Sequence, residues 1–429
     1  MSASRMEAGR LDVPDTAPGR WFQLALVSGA VLLSLSAWLT ATALAPELRE
    51  RWDLTPAEVG WLTTIVQLGF VAGTATAALL NLADILSSRA YFATSALLAA
   101  LANALLLVVP GYGSALAVRF LTGFFLAGVY PPGMKMVATW FKAARGLAIG
   151  TLVGALTVGK AVPYLLKAVG GPSAVSVVTG ASAAGLLAAG VVALGYRDGP
   201  FSFPRRPFEW RRMGRIFRHR PTMLATGGYL GHMWELYAMW SLMGLYFADY
   251  FTRRGSGIVD VQAALATFSV IAIGGAGAVL AGRWADRVGR ARVTIASMLT
   301  SGACALTVGW LMQAPPWLVL GITLVWGFTI VADSAQFSAI VTERAPADAV
   351  GTALMLQTMA GFALTGVSIQ LTSMLAGAVG WGPAFSVLAL GPVCGIAAMR
   401  RLQPKALPGG MNHSVEADSK ASNPIGNSG

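Results

Sequence analysis

Apolar runs of about 20 residues, parted by short polar breaks, fill most of the chain, and a helix of that length crosses a hydrocarbon core of roughly 30 Å. The runs are continuous and lack the strict alternation over about ten residues that barrel strands show, so the pattern predicts helices. Twelve spans follow: 21–45, 59–82, 90–109, 114–138, 146–168, 173–195, 222–250, 258–282, 293–313, 317–341, 350–374 and 378–399. The expected fold is an all-α membrane protein. Its longest polar interruption, 196–221, holds Gly199, Pro200, Pro204 and Pro207 and leaves six spans on each side. That divides the chain into an N-terminal segment (1–20), a six-helix bundle (21–195), a basic linker (196–221), a second six-helix bundle (222–400) and a polar tail (401–429) expected to be disordered.

Composition agrees with this pattern. Of 429 residues 55% are hydrophobic and 12% charged, which excludes a disordered chain and argues against a soluble enzyme. The positions of Lys and Arg add an orientation. With the N-terminus inside, cytoplasmic segments collect 23 of the 31, the opposite side five, and three lie within spans, so both termini are expected in the cytoplasm. The net charge of +12 is densest in "RRPFEWRRMGRIFRHRP", beside membrane segments, which reads as topology and contact with anionic lipid rather than nucleic-acid binding. No secretory cleavage pattern precedes the first span, and the expected location is a bacterial inner membrane or one derived from it, with a monomer favoured. Cys304 and Cys394 have no metal or redox spacing. No nucleophile, cofactor or GxxxxGK[ST] phosphate loop appears, so neither an enzyme nor ATP-driven transport is expected, and no cofactor or metal site is assigned.

Two stretches repeat at nearly one spacing. "NLADILSSR" (81–89) corresponds to "GRWADRVGRAR" (282–292), with Asp84 matching Asp286. "RGLAIGTLVGAL" likewise corresponds to "AVGTALMLQTMAG", which points to a duplicated six-helix unit with a binding site between the copies. The second copy of the loop resembles the signature of the major facilitator superfamily through Gly282, Asp286, Arg287, Gly289, Arg290 and Arg292. The first copy keeps Asp84 and Arg89 but has Asn81 and Ser87 in place of the glycines, and Arg119 with Gly123 resembles the superfamily's fourth-helix motif. The resemblance implies alternating access, a central cavity lined by the first and fourth helices of each half, and a conformational gate at Asp84, Arg89, Gly282, Asp286, Arg287, Gly289 and Arg290. Physically, an aspartate at such a helix end can be held by arginines and by a neighbouring helix N-terminus.

Ionisable residues inside spans cost roughly 2.5 to 3.5 kcal/mol each on insertion scales. Arg119, Lys135, Lys160, Glu235 and Asp333 therefore need a reason. The helical rise places Arg119, Lys160 and Glu235 at nearly one depth, so two cations are expected to meet one carboxylate. Substrate binding or proton coupling is assigned to Arg119, Lys160, His232, Glu235 and Asp333, with His232 three residues before Glu235 among Tyr229, Trp234, Tyr237 and Trp240. A structural ion pair for Arg119, snorkelling for Lys160 and Lys135, and simple packing for the aromatics remain open beside that reading. Pro131, Pro132 and Gly133 are expected to kink the fourth span. Gly146, Gly150 and Gly154 form a small-residue face on the fifth, where Thr151 stands in place of the proline typical of drug and proton antiporters.

The favoured function is proton-coupled transport of a small inorganic or organic anion, although the arginines typical of nitrate carriers in the second and eighth helices are absent. The alternatives are transport of a cation, metal ion or metal complex such as iron, and a transporter-like sensor or assembly partner that moves nothing.

Overall fold

The computed structural model describes residues 17–141, 145–170, 173–201, 210–346 and 349–402, without the side chains of residues 83, 84, 145 and 210–212. Most of the N-terminal segment, the middle of the linker and the tail after residue 402 lie outside the described residues. Before the linker come α1 (Arg20–Leu35), α2 (Pro56–Leu79), α3 (Ser88–Ala104), α4 (Tyr112–Leu126), α5 (Tyr130–Ala138), α6 (Arg145–Gly170) and α7 (Ala174–Gly195). After it come α8 (Arg220–Thr252), α9 (Val259–Val288), α10 (Arg290–Val308), α11 (Pro316–Ala332), α12 (Ser334–Arg344), α13 (Val350–Val379) and α14 (Leu390–Leu402).

Among the described residues ten spans are long and apolar enough to cross a membrane, with α4–α5 and α11–α12 each counting as one. The sum of twelve rests on adding α1, which is apolar but short at 16 residues, and α8, which is 33 residues long and carries several polar groups.

Local chemistry sets the helix limits. At α2, Thr55 Oγ1 accepts from the Glu58 amide at 3.3 Å while Glu58 Oε2 accepts from the Thr55 amide at 2.8 Å, and Pro56 fills the first turn, where no amide is needed. Gly289 ends α9 at φ 94°, a left-handed conformation that a side chain would strain, and α10 starts at the next residue. In the first-half copy of that loop Asn81 takes φ 50°, and Ser87 caps α3 by accepting from the Ala90 amide at 3.2 Å.

Small residues decide which helices approach closely. Before the linker α2 packs on α4, α3 on α7 and α1 on α6 and α7; after it α8 packs on α13 and α14, and α9 and α10 on α11. Across the linker α6 lies along α9 and α2 along α13. The α6–α9 seam is glycine on glycine: a methyl group added at Gly154 would sit 3.1 Å from Gly275 O, and one at Gly275 would sit 3.0 Å from Gly154 O. At the α2–α4 crossing a side chain on Gly123 would collide with the Val66 backbone. Gly123→Leu is therefore expected to separate these helices and to abolish a monodisperse gel-filtration peak, whereas Gly111→Leu, in open space, leaves the peak intact.

The helix ends gather at two faces. Trp21 and Phe141 meet edge to face at 5.3 Å near the Asp286 loop end, and at the opposite end Lys167 Nζ, on α6, lies 2.7 Å from Glu47 Oε1 and 3.6 Å from Asp260 Oδ1. Since Asp260 opens α9, this ion pair pins pre-linker to post-linker helices. A second contact across the linker brings the Gln370 amide of α13 within 3.2 Å of Thr64 Oγ1 of α2.

Candidate functional site

The first span breaks after Leu35 and resumes as a short helix at Thr40, so carbonyls in the intervening turn lack helical donors. Arg119 supplies them from α4. Its Nη1 donates to Ala37 O at 2.9 Å and to Asn103 Oδ1 at 3.1 Å, its Nη2 donates to Trp38 O, and the whole side chain is buried. Asn103 is held in turn by donating to Ser182 Oγ at 3.0 Å. A guanidinium fork over the carboxyl end of a helix is favourable through both its hydrogen bonds and the helix dipole. The expected meeting of Arg119 with a carboxylate does not occur among the described residues.

The same turn carries the indole of Trp38, and Lys160 lies on it. Lys160 is 1% exposed, and its Nζ is 4.0 Å from the Trp38 ring centroid, 4.5 Å from that of Tyr237 and 5.3 Å from that of Trp240. It also donates to the Tyr237 hydroxyl. Phe362 closes the cage, 5.8 Å from Trp38 and 5.3 Å from Tyr237, with Phe70 stacked 4.5 Å behind it. The π faces stabilise the ammonium by about 2 kcal/mol when water is excluded. Among the described residues no carboxylate pairs with it. The lysine is therefore not snorkelling: it reaches from α6 to the turn after α1 and to α8, with α13 closing the cage, so elements from both sides of the linker hold it.

Among the described residues Glu235 pairs with neither cation. Its Oε1 accepts from Trp326 Nε1 at 2.7 Å and its Oε2 from Ser301 Oγ at 2.8 Å, wholly among post-linker helices. One helical turn before it, His232 Nδ1 is 2.8 Å from Asp333 Oδ1 and Nε2 is 2.9 Å from Ser334 Oγ. Asp333 sits where the tenth span breaks between α11 and α12. The corresponding break in the fourth span falls at Ala127–Val129, and Pro131 and Pro132 occupy the first turn of α5, with Gly133 against Val31. The prolines thus open a new helix after an interruption rather than bend a continuous one.

The gate residues lie at the other face. Arg290 Nε donates to Glu343 Oε1 at 2.7 Å, Nη1 donates to Gln336 Oε1 at 2.9 Å, and Nη2 is 3.8 Å from Asp286 Oδ1. A methyl group added at Gly146, in the first turn of α6, would lie 3.5 Å from Asp286 Oδ2, which puts that carboxylate beside a helix N-terminus. Arg287 and Arg89 are exposed, Gly282 has open space around it, and the side chain of Asp84 is outside the described residues. No group of three His, Cys, Asp or Glu converges as metal ligands among the described residues.

Trp38, Phe70 and Phe362 carry no sequence signal of a site, because an aromatic in an apolar span looks like any packing residue. Lys160 drew notice as a charge, but its cage required long-range contacts.

The Major Facilitator Superfamily model matches residues 26–369. The chain belongs to the major facilitator superfamily. It is thus a multi-pass membrane protein of a transporter family and not an enzyme. A niacin transporter, NiaP of Acinetobacter baylyi (strain ATCC 33305 / BD413 / ADP1), is 34% identical over 123 residues, 26% of this chain and 28% of NiaP, so the chain matches little more than a quarter of that protein. In solved structures, a mutant of the nucleoside transporter NupG superposes with a TM-score of 0.69 at 14% identity, over 89% of this chain and 99% of that one. A bacterial homolog of the human lysosomal transporter Spinster, inward-facing and unoccupied, superposes with a TM-score of 0.63 at 15% identity, over 90% and 95% of the two chains. These superpositions establish the superfamily fold.

Proposed function

We propose that this superfamily member is a secondary active transporter that carries a small organic anion, a flat aromatic carboxylate, by alternating access between bundles 21–195 and 222–400. The observation that carries the proposal is the Lys160 cage. Among the described residues a buried ammonium supported by π faces and a phenol has no counter-charge, and a monocarboxylate would supply one once the rings of Trp38, Tyr237 and Phe362, in mutual contact here, part to admit its own. Similarity to a niacin transporter supports the same chemistry, since niacin is an aromatic carboxylate. A cationic cargo would be repelled by the cage's own charge. Because the cage draws on helices from both bundles, substrate occupancy would bias their relative position, and the Lys167 bridge to Asp260 must part for the Glu47 end to open. With both termini cytoplasmic, that end faces outward.

Proton coupling is assigned to Glu235 and the His232–Asp333 pair, with Glu235 two and His232 five residues before Tyr237 on α8. In proteoliposomes, uptake of labelled nicotinate or benzoate should accelerate under an inward proton gradient. Glu235→Gln is expected to erase that acceleration while substrate counterflow persists. Equal acceleration in wild type and Glu235→Gln would remove Glu235 from the coupling, and no wild-type counterflow with either acid would sink the carboxylate assignment.

A further inference from the structure

We infer that a basic cavity at the gate face is a binding site for the phosphodiester headgroup of an anionic phospholipid. The cavity, about 330 Å³ in volume, lies between the start of α10, the end of α12 and Leu402 of α14. Arg290, Arg292 and Arg344 line it, and Glu343 is the single acidic residue among its described walls. Its remaining lining includes Val288, Ile340 and Leu402.

Three features favour a lipid. α10 begins and α12 ends there, so the cavity opens at the depth where a membrane changes from acyl chain to headgroup. Arginines next to apolar side chains match a molecule with a phosphate at one end and hydrocarbon at the other. Basic pockets between membrane helices are also suited electrostatically to anionic headgroups, each cation contributing about 1 kcal/mol near such a surface. Glu343 already holds Arg290 at 2.7 Å, while Arg292 and Arg344 line the cavity and are exposed, so both can reach an incoming phosphate. The same Arg290 is 3.8 Å from Asp286, so a headgroup that drew Arg290 from Glu343 would act directly on the gate cluster. This site is separate from the Lys160 cage and does not depend on the substrate assigned there.

The test titrates the purified full chain in detergent with dioleoylphosphatidylglycerol and, separately, dioleoylphosphatidylcholine, reading apparent melting temperature. Only phosphatidylglycerol is expected to raise it. Arg292→Gln/Arg344→Gln should shift half-saturation to roughly 30-fold higher lipid, as expected for two lost contacts. Both arginines are exposed, and the lipid-free melting temperature of the double variant checks that folding is unchanged. An unchanged titration in the double variant, or an equal response to phosphatidylcholine, overturns the site. Inorganic phosphate at matched ionic strength forms the third arm: if it reproduces the full shift, the cavity binds a free anion and the lipid assignment falls.

Discussion

Replacing Lys160 with alanine is expected to weaken binding of an aromatic carboxylate by roughly 100-fold, because truncating one partner of a buried charge pair costs about 2–5 kcal/mol. Lys160 is also the one group in the cage with a formal charge for the substrate to meet. Its removal should leave folding stability unharmed, since a desolvated ammonium is itself costly and the surrounding rings remain packed on one another. Loss of binding together with an unchanged or raised melting temperature is thus the signature of a substrate-binding lysine. Tyr237→Phe keeps the ring and removes one hydroxyl, so it should weaken binding by no more than about tenfold. Isothermal titration of the variants, with melting curves recorded in parallel, separates the outcomes. A Lys160→Ala protein that binds the acid normally would show the cage to be packing alone.

Arg119→Ala should have the opposite profile. The substitution strips the carbonyls of Ala37 and Trp38 and the Asn103 amide oxygen of their donor in a fully buried place, an expected loss of roughly 3–5 kcal/mol. A drop of that size is a large part of the stability of most domains. The measurement is the melting temperature and the yield of folded protein from membranes, both expected to fall sharply. Arg119→Lys should not rescue it, because an ammonium cannot span two carbonyls and an amide oxygen as a planar fork does. If Arg119→Ala folds normally and loses only substrate affinity, the turn after Leu35 does not depend on this arginine and the guanidinium belongs to the binding site.

These opposed expectations show how much of the site was legible. Periodicity and hydropathy made the helical membrane fold plain, and the loop "GRWADRVGRAR" pointed to the superfamily, because a left-handed glycine and a helix-end aspartate are local requirements with a residue signature. Depth counting also brought Arg119 and Lys160 to one neighbourhood, and both meet there at Trp38. It could not give direction. A rise of about 1.5 Å per residue fixes height along a helix but not which neighbour a rotated face meets. Glu235 therefore turned out to face Trp326 and Ser301, with Asp333 held by His232.

By itself the sequence determined the class of protein, the places of the ten long apolar spans found among the described residues and the residues whose charge demanded an explanation, because burying apolar surface and avoiding charge in lipid are constraints that act residue by residue. Only the tertiary structure decided that one of those cations closes a broken helix while the other is lodged among aromatic rings. That distinction depends on Ala37, Trp38, Tyr237 and Phe362, which are brought to Arg119 and Lys160 by the packing of distant helices and carry no mark of it in their own stretch of chain.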